Sequence, residues 1–361
     1  MSESMALVGL DVHKAQTVAA LLDPATGELS VQRLRGEPER VVPVFLEELD
    51  RPVRAVYEAG PTGFVLARVA EQRGLDIAVV APGSIPRASG DRVKTDRRDA
   101  QRLVRLLAAG ELSFSFVPSE TDERFRDVVR CVEDARKDLM RSRHRLSKFL
   151  LRRGVRSPCK SWTQAHEQWL VKVSFDDELS RAVFLDYLCA ERSLVQRRRA
   201  LIEMLEGAVP ESSHAQAVAR LRCFRGIDTL TAAGLCAEVG SFDRFEKPSL
   251  LSGFLGVVPS EYTSDSKRFQ GQITKAGPSH ARRLLVEAAQ HYRRRPAVGK
   301  GLQERQAGQD ARVLQIAWRA QRRLHERWTH LGRRRGKPSG TVAIAIAREL
   351  AAFCWEAATL S

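Results

Sequence analysis

Residues 6–34 read ALVGLDVHKAQTVAALLDPATGELSVQRL, in which short apolar runs at 6–10, 17–22 and 29–34 alternate with polar segments. Apolar runs of this length, bounded by turn residues, are typical of strands. The DPATG cluster at 23–27 marks a turn between the second run and the third. The pattern therefore predicts a three-stranded antiparallel meander.

Helices and strands alternate along the chain after this meander. Apolar spacing predicts helices over 38–49, 62–73 and 96–109, and strands over 53–57 and 75–80. Thr95 is the expected N-cap of the third helix and Gly110 its C-terminal stop. A meander followed by β-α-β-α units is the order of a ribonuclease-H-like fold.

The rest of the chain reads as helical. Two long stretches, 119–153 and 176–208, carry apolar residues at helical spacing and predict either an antiparallel hairpin or a dimerising coiled coil. Residues 217–361 are mostly helical and basic. We expect an α/β plus all-α protein with three parts, over 1–115, 116–210 and 211–361.

Composition excludes several classes of protein. The 361 residues are 43% hydrophobic and 29% charged, which excludes disorder as a description of the whole chain. No run of 18 uncharged apolar residues occurs, and the mean hydropathy is -0.29, so a membrane protein is not expected. Because no signal peptide is apparent, we expect a cytoplasmic protein. The six cysteines lack zinc-ligand spacing and are expected to be reduced and mostly buried.

Positive charge is concentrated towards the C-terminus. The net charge is +15, yet residues 1–110 hold 15 basic and 15 acidic side chains, and residues 111–209 hold 19 and 16. Residues 210–361 hold 25 and 13, a net of +12. Such a surface indicates a polyanionic partner, most commonly nucleic acid. The alternative is a general bias towards arginine.

Four carboxylates stand at the ends of predicted elements. Asp11 and Glu58 close two apolar strands, and Asp96 and Asp99 open a helix with both side chains on one face. Converging at one sheet edge, they would suit two divalent cations that flank a phosphodiester. Mg²⁺ is favoured over zinc because no cysteine or histidine joins the predicted set, and His13 is interpreted as a polar loop residue or a substrate contact.

Two further features leave alternatives open. An actin-like ATPase also ends its first strand in Asp, but residues 12–14 supply no glycine for a phosphate loop. Residues 256–267, followed by 271–277, are predicted to form a polar, hydroxyl-rich loop with the cations Lys267, Arg268 and Lys275. A serine beside cations can act as a nucleophile on phosphate, although such a segment is most often only a loop.

Five segments together resemble one family. They are GLDVHK at 9–14, YEAGPTGF at 57–64, KTDRRDA at 94–100, RGIDTLTAAGLCAEVGSFDRF at 225–245 and GVVPSEYTSDSKRFQGQITKAG at 256–277. In this order they resemble the DEDD-type transposases of bacterial insertion sequences of the one-ten family, which are bridge-RNA-guided serine recombinases. The resemblance covers nearly the whole chain.

The resemblance implies a mechanism. It implies a RuvC-like N-terminal domain in which Asp11, Glu58, Asp96 and Asp99 bind Mg²⁺, with two ions expected. It implies that Ser264 attacks DNA and forms a covalent serine–DNA intermediate. Donor and target DNA, a structured noncoding guide RNA and further copies of the chain, in a dimer or tetramer, are the implied partners.

One position departs from the family pattern. The family usually has Gly after the reactive serine, whereas Asp265 and then Ser266 follow here, so both Ser264 and Ser266 are candidate nucleophiles. Two other functions remain open. One is an inactive relative that binds nucleic acid without cutting it, and the other is a RuvC-like nuclease in which water attacks.

Overall fold

A computed structural model describes residues 5–49, 51–86, 95–264 and 267–360. The chain forms two compact units, residues 1–119 and 120–361. The first is mixed α/β and the second is mostly helical. Among the described residues, no helix has both the length and the hydropathy of a membrane span.

The first unit is built on a mixed five-stranded sheet. Its strands are β1 (Ala6–His13), β2 (Gln16–Leu22), β3 (Leu29–Arg35), β4 (Val53–Glu58) and β5 (Asp76–Val80), in the order β3-β2-β1-β4-β5. β1, β2 and β3 pair antiparallel, whereas β1 with β4 and β4 with β5 pair parallel. The predicted meander and the two later strands are confirmed.

Three helices cover the two faces of this sheet. They are α1 (Pro38–Glu47), α2 (Val65–Gln72) and α3 (Asp96–Ala108). Val8, Leu10 and Tyr57 pack with the side chains of α1 and α2, whereas Val56 packs with Leu103 of α3. Because side chains alternate along a strand, odd-numbered positions of β1 and even-numbered positions of β4 face α3.

Two long helices begin the second unit. α4 (Glu120–Arg152) and α6 (Glu178–Ala208) are joined by a connector that contains a short helix, α5 (Gln164–Lys172). Arg143 contacts Glu191, and Asp138 contacts Arg197, so the two helices run antiparallel within one chain. Of the two predicted arrangements, the intrachain hairpin is therefore present.

The remaining elements pack around the base of this hairpin. They are α7 (Ala215–Leu221), α8 (Thr229–Val239), α9 (Pro248–Phe254), β6 (Pro259–Ser264), β7 (Lys267–Ile273), α10 (Ser279–Ala289), α11 (Lys300–Gln306), α12 (Ala311–Thr329) and α13 (Ser339–Ala358). α8 is apolar on all sides and buried over residues 232–239, so it is the central helix. Phe125, Val129 and Leu205 of the long helices belong to the same core.

Two expectations need correction. All six cysteines are free, but only Cys223, Cys236 and Cys354 are buried, so "mostly buried" is wrong for half of them. The predicted loop at 256–277 contains the antiparallel strands β6 and β7. Its hydroxyl-rich composition did not indicate strands.

Candidate active site

A close approach between β1 and α3 creates the candidate site. A Cβ atom on Gly9 would lie 2.3 Å from the carbonyl oxygen of Ala100 and 2.6 Å from the amide nitrogen of Val104. Only a residue without a side chain allows the helix backbone to come this near to the strand. Asp11, two residues after Gly9, is therefore held beside the first turn of α3.

Thr95 fixes the start of that helix. Its side chain accepts a hydrogen bond from the backbone N–H of Arg98, as predicted for an N-cap. The cap holds Asp96 and Asp99 in the first turn, where backbone N–H groups favour negative charge.

Asp11, His13 and Asp96 form one compact group. His13 Nε2 lies 3.2 Å from Asp11 Oδ2 and 3.5 Å from Asp96 Oδ1. One potential ligand atom from each residue lies within 4.8 Å of the others. The Asp11 side chain is 21% exposed and that of Asp96 41% exposed, so the group is open to solvent on one side.

The other two predicted acids lie next to this group without joining it. Asp99 is one helical turn after Asp96, is buried, and pairs with Arg102 at 3.1 Å. Glu58 ends β4, directly after Tyr57, which pairs in register with Leu10 of β1. Glu58 therefore follows Tyr57 on β4 as Asp11 follows Leu10 on the neighbouring strand β1. It lies on the same side of the sheet as Val56, the side that faces α3.

Negative charge accumulates around Asp11. Burial raises the pKa of the Asp11 carboxyl above its usual range, and the charges of Asp96 and Asp99 raise it further. The His13 ring lowers it but does not outweigh burial. Burial and the neighbouring carboxylates destabilise the negative charge of Asp11, and a bound cation would stabilise it. The group therefore fits a divalent metal ion.

His13 corrects the sequence interpretation. It lies at the end of β1 inside the acidic group, not in a loop away from it. The spacing held a usable signal, because residues two apart on a strand share a face, and Asp11 and His13 are two apart. Two carboxylates and one imidazole also suit Mn²⁺ or Zn²⁺, so the absence of histidine no longer argues for Mg²⁺.

Ser264 is the last residue of β6. Its Cα pairs in register with that of Lys267 at the start of β7, so Ser264 stands immediately before the turn of a hairpin. Asp265 and Ser266, the turn positions, lie outside the described residues. Ser264 is therefore part of a two-stranded antiparallel element.

The base of this hairpin is fixed by close backbone packing. Gly256 and Gly277 both have positive φ, and a Cβ on Gly277 would lie 1.9 Å from the Phe254 carbonyl oxygen. Arg282 of α10 donates hydrogen bonds to the carbonyl oxygens of Leu255 and Ala276 at 2.9 and 2.8 Å. One side chain thus joins the two ends of the hairpin, a role that the sequence alone did not indicate.

Comparison with known proteins identifies the family. A family model of DEDD transposases of IS110 matches residues 8–153, and a model described as "Transposase IS116/IS110/IS902 family" matches residues 218–301. A Sinorhizobium fredii protein named "Putative transposase y4qE" is 40% identical over 362 residues, covering 97% of this chain and 87% of that protein. The transposase of insertion sequence element IS1533 from Leptospira borgpetersenii is 32% identical over 337 residues, covering 91% and 97%.

The chain belongs to the IS110 family of transposases. As an IS110-family transposase it is an enzyme of DNA transposition, which is the activity that the sequence resemblance implied. A third relative, the transposase of element IS1328 from Yersinia enterocolitica, is 25% identical over 306 residues. The two matched segments of this transposase contain, respectively, the acidic group and the Ser264 hairpin.

Proposed function

We propose that this transposase cuts and exchanges DNA strands under the direction of a guide RNA, using bound Mg²⁺ and a covalent serine–DNA intermediate. The observation that carries the proposal is the group of Asp11, His13 and Asp96 beside Glu58 and Asp99, in a chain whose family acts on DNA. An acid-rich sheet edge of this kind is suited to phosphodiester chemistry.

The topology of the first unit supports a RuvC-like assignment. A five-stranded sheet of order β3-β2-β1-β4-β5, with an antiparallel meander and helices on both faces, is the arrangement of the ribonuclease-H-like fold. In that arrangement Asp11 lies on the central strand, directly after Leu10, the last residue of β1 that pairs with β4. This position of Asp11 supports the proposal that the acids act together at that end of the sheet.

Asp11, Glu58, Asp96 and Asp99 would hold the divalent ions, with His13 adjacent. Bound Mg²⁺ would supply charge stabilisation to the phosphate and to the leaving oxygen. The protein contributes the fixed spacing of these carboxylates, since Gly9 and Thr95 hold β1 and α3 in place. The Nε2 atom of His13 faces both Asp11 and Asp96.

The proposed nucleophile is the hydroxyl of Ser264. Its oxygen forms a bond to phosphorus as the bond from phosphorus to a deoxyribose oxygen breaks. The proton lost by the serine is balanced by the proton gained by the leaving hydroxyl. The phosphodiester energy is thereby kept in the serine–DNA link, which a DNA hydroxyl can attack in the reverse sense during strand exchange.

Assembly into dimers and tetramers is part of the proposal. The long hairpin leaves apolar side chains exposed on α6, with Leu179 80%, Leu185 50% and Met204 58% exposed. Burial of such side chains against a second copy would favour association. In the proposed assembly, the acids of one subunit act with the serine of another.

Metal-ligand variants test the nuclease part. Asp11→Asn and Glu58→Gln should abolish cleavage of donor and target DNA in Mg²⁺, and chelation should do the same to the parent protein. Glu28→Gln, an exposed acid on the same unit, is the matched control and should leave cleavage unchanged. Full cleavage by the parent protein in chelator would contradict the proposal. If added Mn²⁺ but not Mg²⁺ restored cleavage by the chelated protein, the bound ion would be Mn²⁺.

Serine variants test the covalent step. With end-labelled DNA and denaturing gels, Ser264→Ala should remove the protein–DNA adduct while leaving RNA binding intact. Ser266→Ala separates the two candidate hydroxyls, and Ser260→Ala is the control on the same strand. Adducts that persist in Ser264→Ala and vanish in Ser266→Ala would move the nucleophile to the neighbouring residue.

The second candidate is a RuvC-like nuclease in which water attacks. The acidic group supports a water-using nuclease as much as it supports the serine recombinase, because metal-assisted attack by water needs no serine. Metal-dependent cleavage without any adduct, unchanged by Ser264→Ala, would select it. Co-purification of a structured RNA transcribed from flanking noncoding sequence would select the guided recombinase, and RNA binding without any cleavage would indicate an inactive relative.

A further inference from the structure

Cations cluster in one short part of the long-helix region. Between Asp138 and Asp176 the sequence holds nine Lys or Arg residues and a single acidic residue, Glu167. The rest of residues 111–209 holds ten basic and fifteen acidic residues. The middle of the chain is therefore acidic except in this segment.

In the structure this segment forms the end of the α4–α6 hairpin. We call residues 144–175 the hairpin tip: it comprises the last turns of α4, the connector and α5. Its own small core contains Phe149 and Leu170, packed with Phe184 of α6. The tip is thus an ordered element, not a flexible basic tail.

Seven cations of the hairpin tip are exposed, and of these Arg153 interacts electrostatically with the Asp177 carboxylate beyond ion-pair distance. They are Arg145, Lys148, Arg152, Arg153, Arg156, Lys160 and Lys172, and none forms an ion pair within the described residues. Cations nearer the hairpin base are paired instead, for example Lys137 with Asp134 and Arg199 with Glu203. Charge on the tip is therefore available to a partner.

Helix ends explain only part of this arrangement. Arg152, Arg153 and Lys172 lie at helix C-termini, where cations are favoured by the helix dipole. Arg145 and Lys148 are earlier in α4 and gain nothing from that effect. Together with Arg152 they stand at intervals of three and four residues, so they form one row about 10 Å long.

The aromatic residues of the tip are already engaged. The Arg143 guanidinium stacks over the Trp162 ring, with its Cζ 4.6 Å from the ring centroid. The centroids of the Trp162 and His166 rings are 5.1 Å apart. Trp169 contacts His166 at 5.3 Å. Single-stranded nucleic acids are bound by free aromatic faces on which bases stack, and the tip offers a cationic row instead.

We propose that the hairpin tip binds the phosphate backbone of duplex DNA, without reading its sequence. Arg145, Lys148 and Arg152 would contact phosphates along one side of the duplex, and Arg156 and Lys160 would extend the contact. The proposal rests on the DNA substrate of the family and is independent of the guide RNA and of the serine. Its test therefore uses binding alone, so its failure would leave the cleavage chemistry untouched.

The experiment compares two triple variants of the full chain. Arg145→Gln, Lys148→Gln and Arg152→Gln remove three tip cations, whereas Arg124→Gln, Lys137→Gln and Arg199→Gln remove three exposed cations that are paired. Affinity for a labelled 30-base-pair duplex is measured by anisotropy between about 50 and 300 mM salt. Loss of three phosphate contacts should lower the slope of log K against log salt by about 2.7 and weaken binding on the order of 10- to 100-fold at 100 mM, with little change in the control.

Two further variants separate the loss of charge from a loss of folding. The double variant Arg145→Lys and Arg152→Lys keeps the charge and should retain binding, and Arg156→Gln with Lys160→Gln, outside the helices, should weaken binding with unchanged thermal unfolding. Equal losses in the tip and control triples would overturn the proposal. The proposal would also be overturned if the tip triple variant lost affinity for an RNA duplex but not for a DNA duplex. A change in the oligomeric state of that variant would overturn it too, because the tip would then bind a second copy of the chain.

Discussion

Gly9 of β1 and Ala100 of α3 are in direct backbone contact, close enough that any side chain at Gly9 would overlap the Ala100 carbonyl oxygen. This contact sets the spacing between the central strand and the helix that carries Asp96 and Asp99. Because Asp11 follows Gly9 by two residues, the geometry of the acidic group depends on a residue that bears no functional group.

Replacing Gly9 with Ala should therefore damage both stability and metal binding. The added Cβ would force α3 away from β1, at a cost of about 1–3 kcal/mol or more, since backbone cannot rotate aside as a side chain can. We expect a lower Tm in thermal unfolding and weaker Mn²⁺ binding in calorimetry. Gly83→Ala, at a position with open space around the added atom, is the control and should change neither.

Thr95→Ala should loosen the first turn of α3. Loss of the side-chain hydrogen bond to Arg98 N–H typically costs about 1 kcal/mol, and the turn that frays carries Asp96. Thr163→Ala removes an equivalent cap from α5 in the other unit and should cost similar stability. Mn²⁺ affinity should fall in the first variant only; equal affinities in both would show that the cap does not position the acid.

The sequence predicted the first unit well because its signals are local. Short apolar runs, the turn at 23–27 and the Thr95 cap are each read within a few residues, whereas the pairing of β4 with β1 in the sheet is long-range. The hairpin β6–β7 was missed because its sequence is rich in hydroxyl and charged residues and carries no apolar run. The choice between intrachain hairpin and coiled coil for α4 and α6 depended on long-range pairs such as Arg143 with Glu191, which spacing cannot reveal.

Glu133→Gln should destabilise the second unit strongly. The buried Glu133 carboxylate accepts two hydrogen bonds from Arg136 and one from Arg283 of α10, at 2.7–2.8 Å. Burial raises its pKa, but these cations outweigh burial, so the pKa lies below the usual value. Removing the charge leaves the Arg136 guanidinium without its carboxylate partner and Arg283 paired only with Glu287, and about 3 kcal/mol should be lost in urea denaturation. Glu120→Gln, which breaks an exposed pair with Arg124, should cost less than about 1 kcal/mol.

The sequence pointed to two of the three residues of the compact group, Asp11 and Asp96, and missed His13. Glu58 closes β4 and Asp99 lies one turn into α3, next to this group, and a metal-binding role for these four acids stays a prediction. His13 required knowing that β1 continues past Asp11 through its pairing with β2. Burial of Asp11 depends on tertiary packing, which residue spacing does not specify, whereas the ion pair of Asp99 with Arg102 joins residues three apart on one helix.

Acidification should open the hairpin tip through His166. Burial of this ring between Trp162 and Trp169 lowers its pKa below 6.5, so the unfolded tip takes up a proton more readily than the folded one. Stability should then be full above about pH 7 and fall as pH drops through 6.5, levelling off below the folded pKa. Proteolysis within 155–175 should accelerate at pH 5. His166→Gln should remove this pH dependence, and His144→Gln, at an exposed position on α4, should keep it.

Arg282→Leu should free the base of the Ser264 hairpin while leaving the rest of the unit folded. Without the guanidinium, the carbonyl oxygens of Leu255 and Ala276 lose their shared donor, at a cost of about 1–3 kcal/mol. Amide hydrogen exchange should quicken at Thr274 and Lys275, whose N–H groups close the hairpin base, and stay slow in α13. Arg312→Leu, whose side chain pairs with Asp310 beside it, is the control. Unchanged exchange in the Arg282 variant would mean that the positive-φ glycines alone hold the hairpin.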